Sequence, residues 1–161
     1  MTVIARDGVG RASHRAIARE AEVPLGSTTY YFPSLNVLLE EALERYSTRT
    51  IEQLASWSGQ LRDVDDLPAA IASLTYDYYV TDDERALIEY ELYLAAARTP
   101  ELRSAARAWL DGIRDLLTPV TGRPAAEAIA ALIDGFLIEA IATGGSVSRD
   151  TLADAIARQL S

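Results

Sequence analysis

At 161 residues and 49% hydrophobic, the chain can bury a substantial core, and a small module followed by one larger helical domain is its natural division. It has no cysteine, so a disulfide framework and a thiolate site are both excluded, and a reducing cytoplasm is the simplest setting. A net charge of −9 argues against binding nucleic acid over the whole surface, and no apolar run approaches the roughly 18 residues that span a bilayer.

Met1 to Asp7 reads as the end of a helix that stops at Gly8. Ser13 then offers a side-chain oxygen to the first turn of a short helix, on which Ile17, Ala18 and Ala21 form one apolar stripe. Val23 and Pro24 end it, because the residue before a proline avoids the α region. Residues 25–32 (Leu25, Gly26, Ser27, Thr28, Thr29, Tyr30, Tyr31 and Phe32) follow as a second short helix rich in hydroxyls and aromatic rings. Those groups suit hydrogen bonds to phosphates and contacts with base edges. Spacing alone leaves two readings open, a DNA-binding helix-turn-helix and an ordinary helical hairpin.

The stretch 13–32 resembles the DNA-binding motif of the TetR family of transcriptional regulators. Ser13, Ile17, Ala18, Ala21, Val23, Gly26 and Phe32 stand at the motif's positions, and Pro33, Ser34, Leu35, Leu38 and Leu39 resemble the segment leading into the family's fourth helix. Three residues depart from the pattern. Glu22 replaces a turn glycine, and if that position is left-handed it costs on the order of 1 kcal/mol. Thr29 stands where many members have tyrosine, and Leu35 replaces a common lysine. The family also begins with a full first helix. Against it this chain is short by roughly ten to fifteen residues, about one ordinary helix. Either the start lies upstream of Met1, or a natural truncation keeps dimerisation and ligand binding while losing operator affinity.

The resemblance implies an all-α, two-domain regulator, with a helix-turn-helix head over 1–34 and an effector-binding and dimerisation body over 35–161. It implies a repressor that forms a homodimer, holds double-stranded operator DNA and lets go when a small effector binds. Helix 25–32 would lie in a major groove, with the two heads about 34–36 Å apart. The candidate DNA contacts are Ser13, His14, Arg15, Leu25, Gly26, Ser27, Thr28, Thr29, Tyr30 and Tyr31. The charge distribution allows this. Residues 1–36 carry Arg6, Arg11, Arg15 and Arg19 against Asp7, Glu20 and Glu22, a net of +1, while 37–161 carry a net of −10. Arg11 and Arg15 could meet phosphates, or simply be solvated.

The rest reads as helix. A long one over 35–60 carries Leu38, Leu39, Ala42, Tyr46, Ile51 and Leu54, and Gly59 with the acidic run after it breaks it. Asp66 caps the next helix, which carries Pro68, Ile71, Leu74, Tyr78 and Tyr79. Thr81, Asp82 and Asp83 start another, through Leu87, Tyr90 and Leu94 to about Arg98, and a further one covers 101–117 with Leu102, Ala106, Trp109, Ile113 and Leu116 on one face. Tyr76, Tyr79, Tyr90, Tyr93 and Trp109 could line an effector pocket with Glu89 or Glu91 as its polar group, or could be core packing. The acids suggest a cationic or polar ligand.

Residues 124–143 are apolar over most of their circumference, so that helix must be buried on more than one side. Gly144 ends it, and Ser148 caps a final helix with Leu152, Ile156 and Leu160 as its stripe. Ala128, Ala131, Leu132, Gly135, Phe136, Leu152 and Ile156 are the expected dimer interface, with completion of the monomer core as the competing reading. No catalytic constellation, metal cluster or cofactor is expected. His14 is the sole histidine, and Gly8-Val9-Gly10 lacks the strand a nucleotide fingerprint requires.

Overall fold

The computed structural model describes residues 1–80 and 83–161 and contains no strand among them. Thr81 and Asp82, expected to open a helix, lie outside the described residues. The elements are α1 (Thr2–Asp7), α2 (His14–Glu20), α3 (Leu25–Tyr31), α4 (Leu35–Ser58), α5 (Leu67–Val80), α6 (Asp83–Arg98), α7 (Arg103–Thr121), α8 (Arg123–Thr143) and α9 (Arg149–Ala157).

The expected caps form. Ser13 accepts the Ala16 N–H at 3.2 Å, Asp66 accepts that of Ala69 at 3.0 Å, and Ser148 accepts that of Thr151 at 3.4 Å. Between α2 and α3 the chain turns at Glu22, whose φ of 54° is left-handed, so the position that favours glycine here holds a strained glutamate. The Val23 N–H still reaches the Ala18 carbonyl at 3.0 Å and closes the turn.

The helix over 101–117 runs further than its sequence signals indicate. A 3₁₀ turn, Pro100–Leu102, leads into α7, which passes through Pro119 to Thr121. Proline removes one N–H, but the turn that holds it places Val120 against the second core cluster.

Among the described residues, two clusters make the core. The first joins Ile4 of α1 and Ala12 to Leu39 and Leu43 of α4, to Leu92, Ala95 and Ala96 of α6, and to Ala105 and Ala106 of α7. Helix α1 and the turn after it are therefore packed directly against the body. The second lies within the body and includes Ile71, Leu117, Ile129, Ile133, Leu152 and Ile156. Close approach of α4 and α7 depends on Gly112, where an added Cβ would stand 2.4 Å from Ile51 Cδ1.

This arrangement corrects part of the expected dimer face. Leu152 and Ile156 are 1% and 0% exposed inside the protomer's own core, because α9 packs along α5 and turns its apolar stripe inward. Leu132 and Phe136 are partly covered by the same cluster, and Ala128 is half-buried. The face α8 leaves outside includes Ala131, Gly135, Ile138 and Ala142, an apolar stripe at helical spacing flanked by the exposed Glu127, Glu139 and Ile141.

Candidate functional site

The head presents α3 outward. Tyr30 and Tyr31 are 82% and 72% exposed, their rings packed edge to face with centroids 5.1 Å apart. Leu25, Gly26 and Thr29 are exposed on the same helix, and an added Cβ at Gly26 would meet nothing within 4 Å. The Thr29 hydroxyl is 3.3 Å from the Leu25 carbonyl, and Ser27 is half-buried. Thr28 is the exception among the expected contacts. It is 8% exposed and donates to the Leu25 carbonyl at 2.9 Å, so its hydroxyl serves the helix interior and cannot reach a base.

On α2, Ser13 is used as the cap, Arg15 is exposed, and His14 is half-buried with Nδ1 shielded from solvent. Arg6 is held by Asp7 at 3.0 Å and Glu20 at 3.1 Å, and this pairing lowers the Asp7 carboxyl below its ordinary value. Arg11, Arg15 and Arg19 are exposed, as is the paired Arg6.

In the body the expected aromatic residues divide into two groups. Tyr79, Tyr93 and Trp109 converge on a small internal gap with Asp134, and Tyr79 also donates its hydroxyl to Glu89 Oε2 at 2.6 Å. Glu89 is 2% exposed, and its Oε1 has no hydrogen-bond partner among the described residues. Burial pushes this carboxyl up to about 8, and burial likewise raises Asp134 to about 6. Tyr90 turns aside and donates to the Asp134 backbone carbonyl at 2.9 Å. Tyr76 lies nearer the surface under the Arg149 guanidinium, 4.1 Å from its ring centroid, and lines an outer groove with Leu87 and Ile141.

The alternative between Glu89 and Glu91 resolves into two different jobs. Glu91 faces the head, where its Oε2 accepts the Val9 N–H at 2.8 Å. Gly8 makes the approach possible. Its φ is +76°, and an added Cβ would stand 3.2 Å from both carboxylate oxygens. The Gly8-Val9-Gly10 segment is thus a docking turn for α6. Two residues apart on a helix is about 200° of rotation, so one helix presents one acid to the aromatic site and another to the head.

Three contributors escaped the sequence reading. Asp134 was signalled only as a charge amid the apolar run of α8. Tyr78 is buried, and its ring carries the Arg85 guanidinium at 4.5 Å. Tyr46, raised to about 12 by burial and then by Glu89, sits on α4 near the same carboxylate. No local pattern brings residues from five helices together.

An exposed short helix after a tight turn, packed on a helical body with a buried acid among aromatic rings, defines a helix-turn-helix regulator with a ligand-binding body. The chain belongs to the TetR family of transcriptional regulators: residues 62–161 match the family model described as tetracyclin repressor-like, C-terminal domain. The multidrug binding protein EbrR complexed with ethidium is 32% identical, with a TM-score of 0.84 over 99% of this chain and 93% of that one. EbrR complexed with imidazole gives 32% and 0.85, over 99% and 89%. A TetR-family member from Streptomyces coelicolor A3, SCO1917, gives 33% and 0.88, over 99% and 92%. No curated protein sequence matches the chain.

Proposed function

We propose that the chain is a homodimeric repressor that holds operator DNA through α3 and releases it when an aromatic organic cation enters the body. The observation that carries this reading is the double role of α6. Glu89 meets the aromatic site, and Glu91 holds the Val9 amide of the head. A ligand that shifts α6 acts on the head through that bond and through the packing of Leu92, Ala95 and Ala96 with Ile4 and Ala12. The shift stabilises release only to the extent that the ligand binds the displaced state better.

On the DNA side, Leu25, Gly26, Thr29, Tyr30 and Tyr31 supply the groove-facing surface, Ser27 its half-buried flank, and Arg11 and Arg15 the phosphate contacts. The stripe Ala131, Gly135, Ile138 and Ala142 supplies the dimer contact, extended by Ala128, Leu132 and Phe136. A buried carboxyl among tyrosines and tryptophan, which holds its proton up to about pH 8, suits a cation that takes the proton's place and meets the ring faces, and EbrR, similar over nearly the whole chain, has been solved with ethidium and with proflavin.

The test is fluorescence anisotropy on labelled duplex from upstream of the chain's own gene, titrated at several salt concentrations with and without ethidium. Specific, salt-dependent binding that ethidium weakens is expected. Tyr30→Ala should cost about 1–3 kcal/mol of operator affinity and leave the dimer intact. Binding equal to that of random duplex at every salt concentration would remove self-regulation from the proposal.

A further inference from the structure

The outer face of the head offers contact area but almost no charge. Val23, Leu25, Tyr30, Tyr31 and Val37 are each at least 41% exposed. From Val23 to Leu35 the chain contains no arginine, lysine, aspartate, glutamate, asparagine or glutamine. Glu22 precedes this stretch in the turn, and Asn36 follows it on α4. The exposed Arg11, Arg15 and Arg19 all lie ahead of α3, on the 3₁₀ turn Val9–Arg11 and on α2, so the phosphate-binding charge and the helix that meets the bases are separate.

Each base presents its own groups in the major groove, and each set calls for particular side chains. Guanine is read by arginine or lysine through two hydrogen bonds, adenine by asparagine or glutamine, and cytosine by a carboxylate. Helix α3 carries none of these. Two of its hydroxyls are also committed to the helix itself. Thr28 is buried and donates to the Leu25 carbonyl at 2.9 Å, and the Thr29 hydroxyl lies 3.3 Å from both the Leu25 and the Gly26 carbonyls. A threonine that bonds back to its own helix keeps its methyl as the group it presents outward. Hydroxyls remain at Ser27, Tyr30 and Tyr31, but a hydroxyl both donates and accepts and so separates one base from another poorly. Leu25 and Thr29 are one turn apart, as are Gly26 and Tyr30, which sets a leucine side chain, a threonine methyl and a tyrosine ring on one side of the helix. The group of a base that apolar side chains read is the C5-methyl of thymine.

We infer that α3 reads its operator half-site through thymine methyl groups, with Leu25, the Thr29 methyl and the Tyr30 ring as the reading surface. Tyr31, packed edge to face on Tyr30 with centroids 5.1 Å apart, steadies that ring. This rests on the operator-binding reading above and adds which base is read and by which atoms. Discrimination then lies at the 5-position of the pyrimidine. A 5-methylcytosine carries the same methyl at the same place, so it is accepted where unmodified cytosine is refused.

The experiment starts from duplexes that the full chain enriches from a random library, and measures their binding by fluorescence anisotropy. Replacing every thymine of the enriched motif by deoxyuridine removes the methyl and keeps the pairing edge. Each buried methyl is worth about fourfold in affinity, so the loss of two or more should weaken binding tenfold or more and leave the salt slope unchanged. With cytosine at those positions binding should fall, and 5-methylcytosine should bind about fourfold tighter per site than cytosine. Leu25→Ala and Tyr30→Ala, both at exposed positions and checked by thermal melting, should each shrink the deoxyuridine penalty by about fourfold, because the partner of one methyl is already gone. An enriched motif without thymine, or one that binds equally well as deoxyuridine, overturns methyl reading. Equal binding of the cytosine and 5-methylcytosine duplexes does the same. A deoxyuridine penalty of the same size in both variants as in the unmodified chain assigns the methyls to duplex shape and overturns the role of α3. Failure to enrich any sequence overturns the operator-binding reading together with this one.

Discussion

Replacing Glu91 by alanine removes the acceptor of the Val9 N–H, a 2.8 Å bond between a carboxylate and a backbone amide. Hydrogen bonds to charged groups contribute about 1.5–3 kcal/mol. Glu91 is half-buried, so solvent screening brings the loss to about 1–1.5 kcal/mol. The amide of Val9 should then exchange with solvent about tenfold faster, since 1.4 kcal/mol is one decade. Glu91→Gln keeps a carbonyl acceptor and should recover about half of that energy. Gly8→Ala attacks the same bond from the other side. Its methyl would stand 3.2 Å from both carboxylate oxygens at a φ of +76°. The backbone strain alone costs about 1–2 kcal/mol. Hydrogen exchange followed by NMR or mass spectrometry reads the local effect, and the ratio of operator affinities without and with ethidium reads the functional one. Both Glu91→Ala and Gly8→Ala should move that ratio toward one, because the ligand site no longer grips the head. Unchanged Val9 exchange together with an unchanged ratio would refute the coupling role of α6.

The packing of α4 on α7 gives a second test: Gly112→Ala forces a methyl to within 2.4 Å of Ile51 Cδ1 and should destabilise the fold by about 1–3 kcal/mol, with Ile51→Ala restoring much of the loss in a double-mutant cycle read by urea unfolding. Burial raises the Glu89 carboxyl from 4.5 to about 8, so the folded chain holds that proton more tightly than the unfolded one. Its contribution is therefore fully present below the ordinary carboxylate range and is lost as pH rises toward 8, on the order of 1 kcal/mol per pH unit through that window. Glu89→Gln is neutral throughout and should flatten the fall, which urea midpoints at about pH 5 and pH 8 will compare. Ile138, 44% exposed at the centre of the outer stripe of α8, should on replacement by glutamate yield a monomer in analytical ultracentrifugation without loss of helicity.

Much of the architecture is legible in short-range signals. Ser13, Asp66 and Ser148 mark helix starts because a side-chain oxygen one turn before a run of N–H groups has few other uses. Pro24 and Gly144 mark ends because they restrict or free one backbone angle. Even the strain at Glu22 is foreseeable from the glycine it replaces in the turn motif. The limit shows after Leu117, where the expected helix stops and α7 runs on through Pro119 to Thr121, with Val120 packed on the core.

Sequence by itself therefore determined the helical segments, the helix-turn-helix over 13–32, the outward aromatic pair Tyr30 and Tyr31, and the family. The tertiary structure decided what each helix face meets. It turned Thr28 into the head, took Leu152 and Ile156 from the expected interface into the protomer core, and left Ala131, Gly135, Ile138 and Ala142 outside. It also separated Glu89 from Glu91, which the sequence leaves as equivalent candidates, and set Tyr79 at the meeting point of three cavities. The physical reason is one of range. Caps, turns and periodicity act within a few residues, whereas the partner of a helix face is chosen by the burial of side chains that are tens of residues apart along the chain.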